Sequence, residues 1–259
     1  MPYLDVNDTT LYIEDEGSGP ALLFLHGWGT SGRVWGGQLR EFVRDHRVVT
    51  VDGRGCGRSA RPARGNTVDG SVADLVALIG ALGLDRPVVV GSSIGAVLAT
   101  ELGLRHPSLI GGIVAVDGPG YWPAATGALG ELTPGLRDDR AGLLAGWVPE
   151  WFAPGTAPAL IDWTVRQILD SGVYIDEQLD VFATYDPRPR LPGLTVPVHY
   201  LHGELDAPIP PEVAWTLAAL TPGAEVTMIH GAGHMPQLER PAEFNAALRA
   251  ALTRLRAAA

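Results

Sequence analysis

Residues Val88 to Ala99 read VVVGSSIGAVLA, and the change of period inside this stretch decides the fold. Val88 to Val90 form a short, β-branched, uncharged run that reads as a buried strand. Residues 94–104, IGAVLATELGL, read as a helix of small and aliphatic side chains. A strand that turns directly into a helix must fold back sharply. The bend drives its central residue toward positive φ and leaves room only for small neighbours. Ser93 has Gly91 two residues before it and Gly95 two after, whereas Ser92 would have Val90 and Ile94 in those places. Ser93 is therefore the candidate nucleophile, set at a helix N-terminus where free N–H groups and the dipole favour developing negative charge. A glycine-eased corner without chemistry is the competing explanation, and the rest of the chain weighs against it.

Outward from this stretch, strand-like runs at 11–16, 21–25, 48–52, 112–117, 196–202 and 225–230 alternate with helical patterns near 34–45, 70–83, 211–220 and 241–256. Such alternation predicts an α/β protein with a mostly parallel central sheet flanked by helices, whose catalytic groups gather at the carboxyl ends of the strands. Residues 119–190 break the rhythm with proline and glycine, a helical fragment at Leu160–Leu169, and four of the seven tryptophans. This segment is expected to be an inserted lid. Residues 1–118 and 191–259 then form the core.

Composition removes several functions. A net charge of −10 argues against a nucleic-acid partner. The single cysteine, Cys56, permits no intrachain disulfide. The first twenty residues are acidic rather than a basic start followed by an apolar run, and the longest apolar tract, around 87–104, is interrupted by glycines, serines and Glu101. A secretory signal and a membrane span are therefore not expected, and a cytoplasmic location is. All 19 basic residues are arginine. A lysine Schiff base, a Ser–Lys dyad and a phosphate-loop lysine are thereby absent.

A serine hydroxyl needs a positioned base. In the stretch MIHGAGHMPQLERP, 228–241, His234 follows a strand in a glycine-loosened loop before the last helix. His230 and His234 are four apart, but the Gly-Ala-Gly between them speaks against a helical zinc pair, and His230 reads as a strand-end residue. The base in turn needs a carboxylate to hold its tautomer. Asp206, in VHYLHGELDAPIPPE at 198–212, lies just beyond an apolar strand, and Asp117, ending GIVAVD, is its competitor. Loop context favours Asp206, which gives the chain order Ser93, Asp206, His234.

With LLFLHGWGTSGRVW at 22–35, VVTVDGRGCGRSARP at 48–62, LHGELDAPIP at 201–210 and GAGHMPQLERP at 231–241 added to the elbow, the chain resembles the α/β-hydrolase fold superfamily. The similarity is to its cofactor-free esterase, lactonase and haloperoxidase-like branch. The resemblance implies a carboxylic ester or lactone hydrolase acting on a small-molecule substrate through an acyl-enzyme, with no cofactor and no metal. It implies backbone N–H groups of Trp28 and Ile94 as the oxyanion hole and a structural role for His26. Asp52, Arg54, Gly55 and Gly57 would shape a turn, with Cys56 a small loop residue. Carbon–carbon bond hydrolysis of a diketone-like substrate, or a receptor that binds without turnover, would fit the same fold. Trp122, Trp147, Trp151 and Trp163 are expected to line an apolar or aromatic substrate pocket, although packing alone explains each singly.

Overall fold

The computed structural model describes residues 2–121, 125–179 and 185–258. Eight strands form one sheet: β1 (Tyr3–Val6), β2 (Thr9–Gly17), β3 (Ala21–Leu25), β4 (Arg47–Asp52), β5 (Val88–Ser92), β6 (Gly112–Val116), β7 (Val198–Gly203) and β8 (Glu225–Ile229). They lie in the order β1-β2-β4-β3-β5-β6-β7-β8. Pairs β1–β2 and β2–β4 are antiparallel, and every pair from β4 to β8 is parallel. Parallel strands require crossovers, and these bury both faces of the sheet.

The burial shows it residue by residue. Leu22, Phe24, Val48, Val90 and Val114 point to one face, where Trp35 and Phe42 of the first crossover and Phe244, Leu248 and Leu252 of the last helix meet them. Their neighbours Leu23, Leu25, Val49, Val89 and Ile113 point to the other. There they pack on α2 (Val68–Ala81), α3 (Ile94–Arg105) and α6 (Glu212–Leu220). The two-residue period of a strand thus divides each apolar run between two cores.

The remaining helices are α1 (Gly36–Phe42), α4 (Ala125–Trp147), α5 (Pro158–Leu169), α7 (Pro236–Glu239) and α8 (Pro241–Ala258). Both α4 and α5 lie in the stretch between β6 and β7. α4 is two helices joined at Asp139, whose backbone (φ −146°, ψ 79°) is not helical. The Asp139 carboxylate accepts the Gly142 N–H at 2.9 Å, so it caps the second half while interrupting the first.

Most elements fall where the sequence predicts them, and three of the differences have a local cause. β1 is absent from the sequence reading, being four residues at the sheet edge with three not buried, so no alternation marks it. The helix expected over 34–45 is a 3₁₀ turn, Gly32–Trp35, followed by the shorter α1. The strand expected from 196 begins at 198, after Pro197. Among the described residues no helix is long and apolar enough to cross a membrane.

Candidate active site

The carboxyl ends of five strands carry the site. After β5, Ser93 adopts φ 53°, ψ −118°, a conformation that L-residues rarely hold. Its neighbours explain how the strain is sustained. A Cβ on Gly91 would stand 2.1 Å from the Gly95 carbonyl oxygen, and one on Gly95 would stand 2.4 Å from that of Leu25. Strand and helix therefore cross backbone against backbone, and the Ser93 N–H is fixed to the Val116 carbonyl at 2.8 Å.

After β8, His234 is buried and its Nδ1 lies 2.7 Å from Asp206 Oδ2, beyond the end of β7. A carboxylate can only accept, so Nδ1 carries the proton, and in the neutral form of the ring Nε2 has the lone pair. Asp206 Oδ1 accepts the Ile209 N–H at 2.9 Å. Burial pushes the Asp206 carboxyl upward, but His234 and His202 outweigh it and hold the group below its ordinary value.

Asp117, the competing acid, is also brought here. It sits fully buried at the end of β6 with φ 47°. Its Oδ1 accepts the Gly203 N–H at 2.7 Å, and its Oδ2 has no hydrogen-bond partner. Burial first, and then the charge of Asp206, push its pKa well above the usual carboxylate range. Neighbouring carboxyls disfavour each other's ionisation, and the fully buried Asp117 bears the upward push.

Asp117, His202 and Asp206 each offer a potential metal-ligating atom within 4.8 Å of one another. The His202 Nε2 lies 2.8 Å from the Ile209 carbonyl oxygen and donates to it, so that nitrogen has no lone pair for a metal.

After β3, the loop bearing Trp28 is held by His26. Burial lowers the His26 pKa and keeps the ring neutral. Nε2 accepts the Gly53 N–H at 2.8 Å, which leaves Nδ1–H to donate to the Gly27 carbonyl at 2.7 Å. Asp52 ties the next loops together by accepting the Gly32 N–H at 2.8 Å and the Arg58 N–H at 2.9 Å. Its burial is outweighed by Arg58, so its pKa is lowered. The Cys56 thiol is pushed up to about 12 by burial, which keeps it from acting as a thiolate. His230 is exposed and pairs with Glu204 at 3.2 Å, away from the site.

Gly27, Trp28, Thr30, Ser93, Trp147, Trp151, Leu179, Pro208, His234 and Met235 enclose one tight cavity of about 30 Å³. Aromatic rings run around it from Trp28 to Trp147 (5.9 Å), to Trp151 (5.0 Å) and to the His234 imidazole (6.0 Å). Trp163 is not brought to this wall. It lies half-buried against the adjoining core, beside the buried Thr164 of α5. Trp122 lies outside the described residues. The Ile94 N–H is at the first turn of α3, where no intrahelical acceptor exists.

One residue of the site escapes the sequence reading. Glu239 Oε1 accepts the N–H groups of Gly233 and Met235 at 3.0 and 3.2 Å, on either side of His234. Its Oε2 accepts the Ala153 N–H at 2.8 Å and the Thr156 hydroxyl at 3.1 Å. The His234 N–H itself donates to the Trp151 carbonyl at 2.6 Å. The Glu three residues after Pro236 in GHMPQLERP was the available signal.

The profile of the Alpha/beta hydrolase family matches residues 22–247, and the chain belongs to that family. It is similar to the pimeloyl-[acyl-carrier protein] methyl ester esterase of Edwardsiella ictaluri (strain 93-146), with 29% identity over 88% of this chain and 91% of that one. The esterase EaEST from Exiguobacterium antarcticum has the same fold, with a TM-score of 0.90, 24% identity and 98% of each chain covered. Est816, described as an N-acyl homoserine lactone degrading enzyme, matches with a TM-score of 0.81 and 28% identity over 96% of this chain and 99% of that one.

Proposed function

We propose that the chain is a serine hydrolase that cleaves a small carboxylic ester or lactone through an acyl-enzyme. The chain is a carboxylic ester hydrolase of the α/β-hydrolase type, and the names of its relatives supply the ester and lactone classes. The observation that carries the mechanism is the 2.7 Å bond from His234 Nδ1 to Asp206, with His234 and the strained Ser93 bordering one cavity.

Ser93 attacks the carbonyl carbon as His234 Nε2 takes its proton. Asp206 steadies the imidazolium without taking a proton itself. The N–H groups of Trp28 and Ile94 receive the oxyanion. His234 then protonates the leaving alcohol and activates the water that releases the acid and frees Ser93. Neither the helix dipole nor a general base alone makes serine a nucleophile; the elbow and the histidine act on the same hydroxyl.

The Trp28, Trp147 and Trp151 wall favours an apolar acyl group. Residues 119–190 serve as the lid. A cavity of about 30 Å³ has room for only a water or two, so a substrate enters by displacing α4 or the turn that follows it. The test is hydrolysis of p-nitrophenyl esters of graded chain length by the protein and by Ser93→Ala. Cleavage abolished in the variant supports the reading, and equal feeble rates in both would overturn it.

A further inference from the structure

A guanidinium grips a carboxylate most firmly through its Nε and Nη2 edge, whose two parallel N–H bonds match the two oxygens. This chain uses that edge repeatedly. Arg54 holds Asp74 with it at 2.6 and 2.8 Å, Arg47 holds Asp15 at 2.9 and 2.7 Å, and Arg188 holds Asp186 at 2.8 and 2.7 Å.

Arg140 departs from the pattern. Only its Nη1 is used, donating to Asp176 Oδ2 at 2.6 Å. Its Nε and Nη2 are both buried without a hydrogen-bond partner. Two buried, unpaired, charged donors on one side chain are costly unless something accepts from them.

The position of Arg140 says what that acceptor is attached to. It borders a cleft of about 640 Å³ together with Arg64, Arg137 and Tyr174. The acids on that cleft are partly committed, Asp176 through Oδ2 to Arg140, with its Oδ1 buried and unpartnered, and Glu177 to the Asn66 N–H at 3.2 Å. On its inner side the Arg140 guanidinium stands 5.5 Å from the Trp28 ring, which walls the Ser93 cavity. Cleft and cavity also share the 3₁₀ turn Val173–Leu179, with Asp176 on one and Leu179 on the other. The helix break at Asp139 sets Arg140 at the start of the second half of α4.

We propose that Arg140 is a specificity residue that binds a terminal carboxylate of the substrate through its Nε and Nη2 edge, so that the enzyme takes an acyl chain apolar at the reacting end and anionic at the other. This rests on the serine hydrolase reading for the reacting end. The chain crosses the tryptophan wall, its ester carbonyl meets Ser93, and its carboxylate reaches the cleft. Arg64 and Arg137 add positive potential at the mouth of the cleft on a protein that is acidic as a whole.

The test compares monomethyl adipate with methyl hexanoate, which has the same chain and no charge. Binding is measured by calorimetry on Ser93→Ala, and turnover on the active enzyme. A charge-assisted bidentate bond predicts about 10- to 100-fold tighter binding of the adipate monoester. It also predicts that Arg140→Met erases most of that preference and lowers the ratio of the two kcat/KM values by a similar factor. Arg140→Met leaves Asp176 unpaired, so Arg140→Met/Asp176→Asn, which removes both charges, is measured beside it. Equal binding of the two esters to Ser93→Ala, or a preference that survives in both Arg140 variants, overturns the proposal. The two readings fail separately. Preference in binding with no Ser93-dependent turnover of either ester sinks the hydrolase mechanism, while Ser93-dependent turnover without preference sinks only the carboxylate site.

Discussion

The elbow at Ser93 and the insertion between β6 and β7 meet across a single cavity but are held by different means. At the elbow the tolerances are backbone against backbone. Added Cβ atoms at Gly91 and Gly95 would fall 2.1 and 2.4 Å from carbonyl oxygens, and no rotamer change relieves such a clash. The insertion is joined to the core by many side chains, Ser171 Oγ to the Gly29 carbonyl at 2.7 Å, Ser31 Oγ to Gln167 at 2.6 Å, the Glu239 carboxylate, and the rings of Trp147 against Trp28 and Trp151 against His234, beside two backbone bonds, His234 N–H to the Trp151 carbonyl at 2.6 Å and Gly172 N–H to the Gly55 carbonyl at 2.8 Å. Side-chain joints can be exchanged one at a time, whereas a backbone crossing tolerates almost no substitution. On the proposed mechanism the chemistry is built on the backbone crossing, and selectivity on the side chains of the insertion.

Six substitutions sharpen that contrast. Ser93→Ala is expected to lower kcat by about 10⁴-fold or more, leaving the residue of catalysis that binding and the oxyanion hole supply. Ser93→Gly, equally inactive, should also raise the thermal midpoint, because glycine relieves a φ of 53°; a lower midpoint would mean the elbow is not strained. Next comes the acid. Asp206→Asn should cost about 10³- to 10⁴-fold in kcat, and Asp117→Asn less than about tenfold, the reverse order reassigning the acid.

Asp117 also has a signature in stability. Its folded pKa is raised, so the folded state holds a proton that the unfolded chain releases above its ordinary carboxylate value. Its contribution to stability is therefore full at low pH and declines as pH rises toward the folded pKa. Asp117→Asn, which mimics the protonated acid, should be more stable than the parent at pH 8, with the gain vanishing by about pH 4. Melting curves across that range provide the check.

Glu239→Ala should cost about 2–4 kcal/mol of stability by leaving backbone donors unpaired, and should depress kcat through a loosened His234 loop. The smallest effect is expected at the far wall. Trp147→Ala should raise KM for apolar esters by about tenfold with kcat little changed, since the ring touches Trp28 and Trp151 but no proton-transfer group. A kcat collapse there would show that the aromatic wall positions His234.

What the sequence discloses follows the same division. The elbow, the strand-end loops and the placing of Asp206 beside His234 are legible because each depends on local spacing: small residues flanking Ser93, glycines loosening the His234 loop, prolines following Asp206. The insertion resists because its roles depend on contacts across the chain. Tryptophan content signals buried aromatic surface without saying which wall a ring joins, so Trp147 and Trp151 border the cavity and Trp163 does not. Arg140 is invisible for the same reason. Its proposed role rests on which of its own nitrogens lack partners, and that is a property of packing.

The carboxylate of Glu239 carries a final consequence, one of timing. With one oxygen it fixes the N–H groups flanking His234, and with the other it fixes Ala153 and Thr156 of the insertion, while the His234 N–H is bonded to Trp151. On the proposed mechanism, a displacement of 151–156 to admit a substrate would pull on the same anchor that holds the His234 loop. Entry and proton transfer would then be successive rather than simultaneous events, with the base armed by the act of shutting.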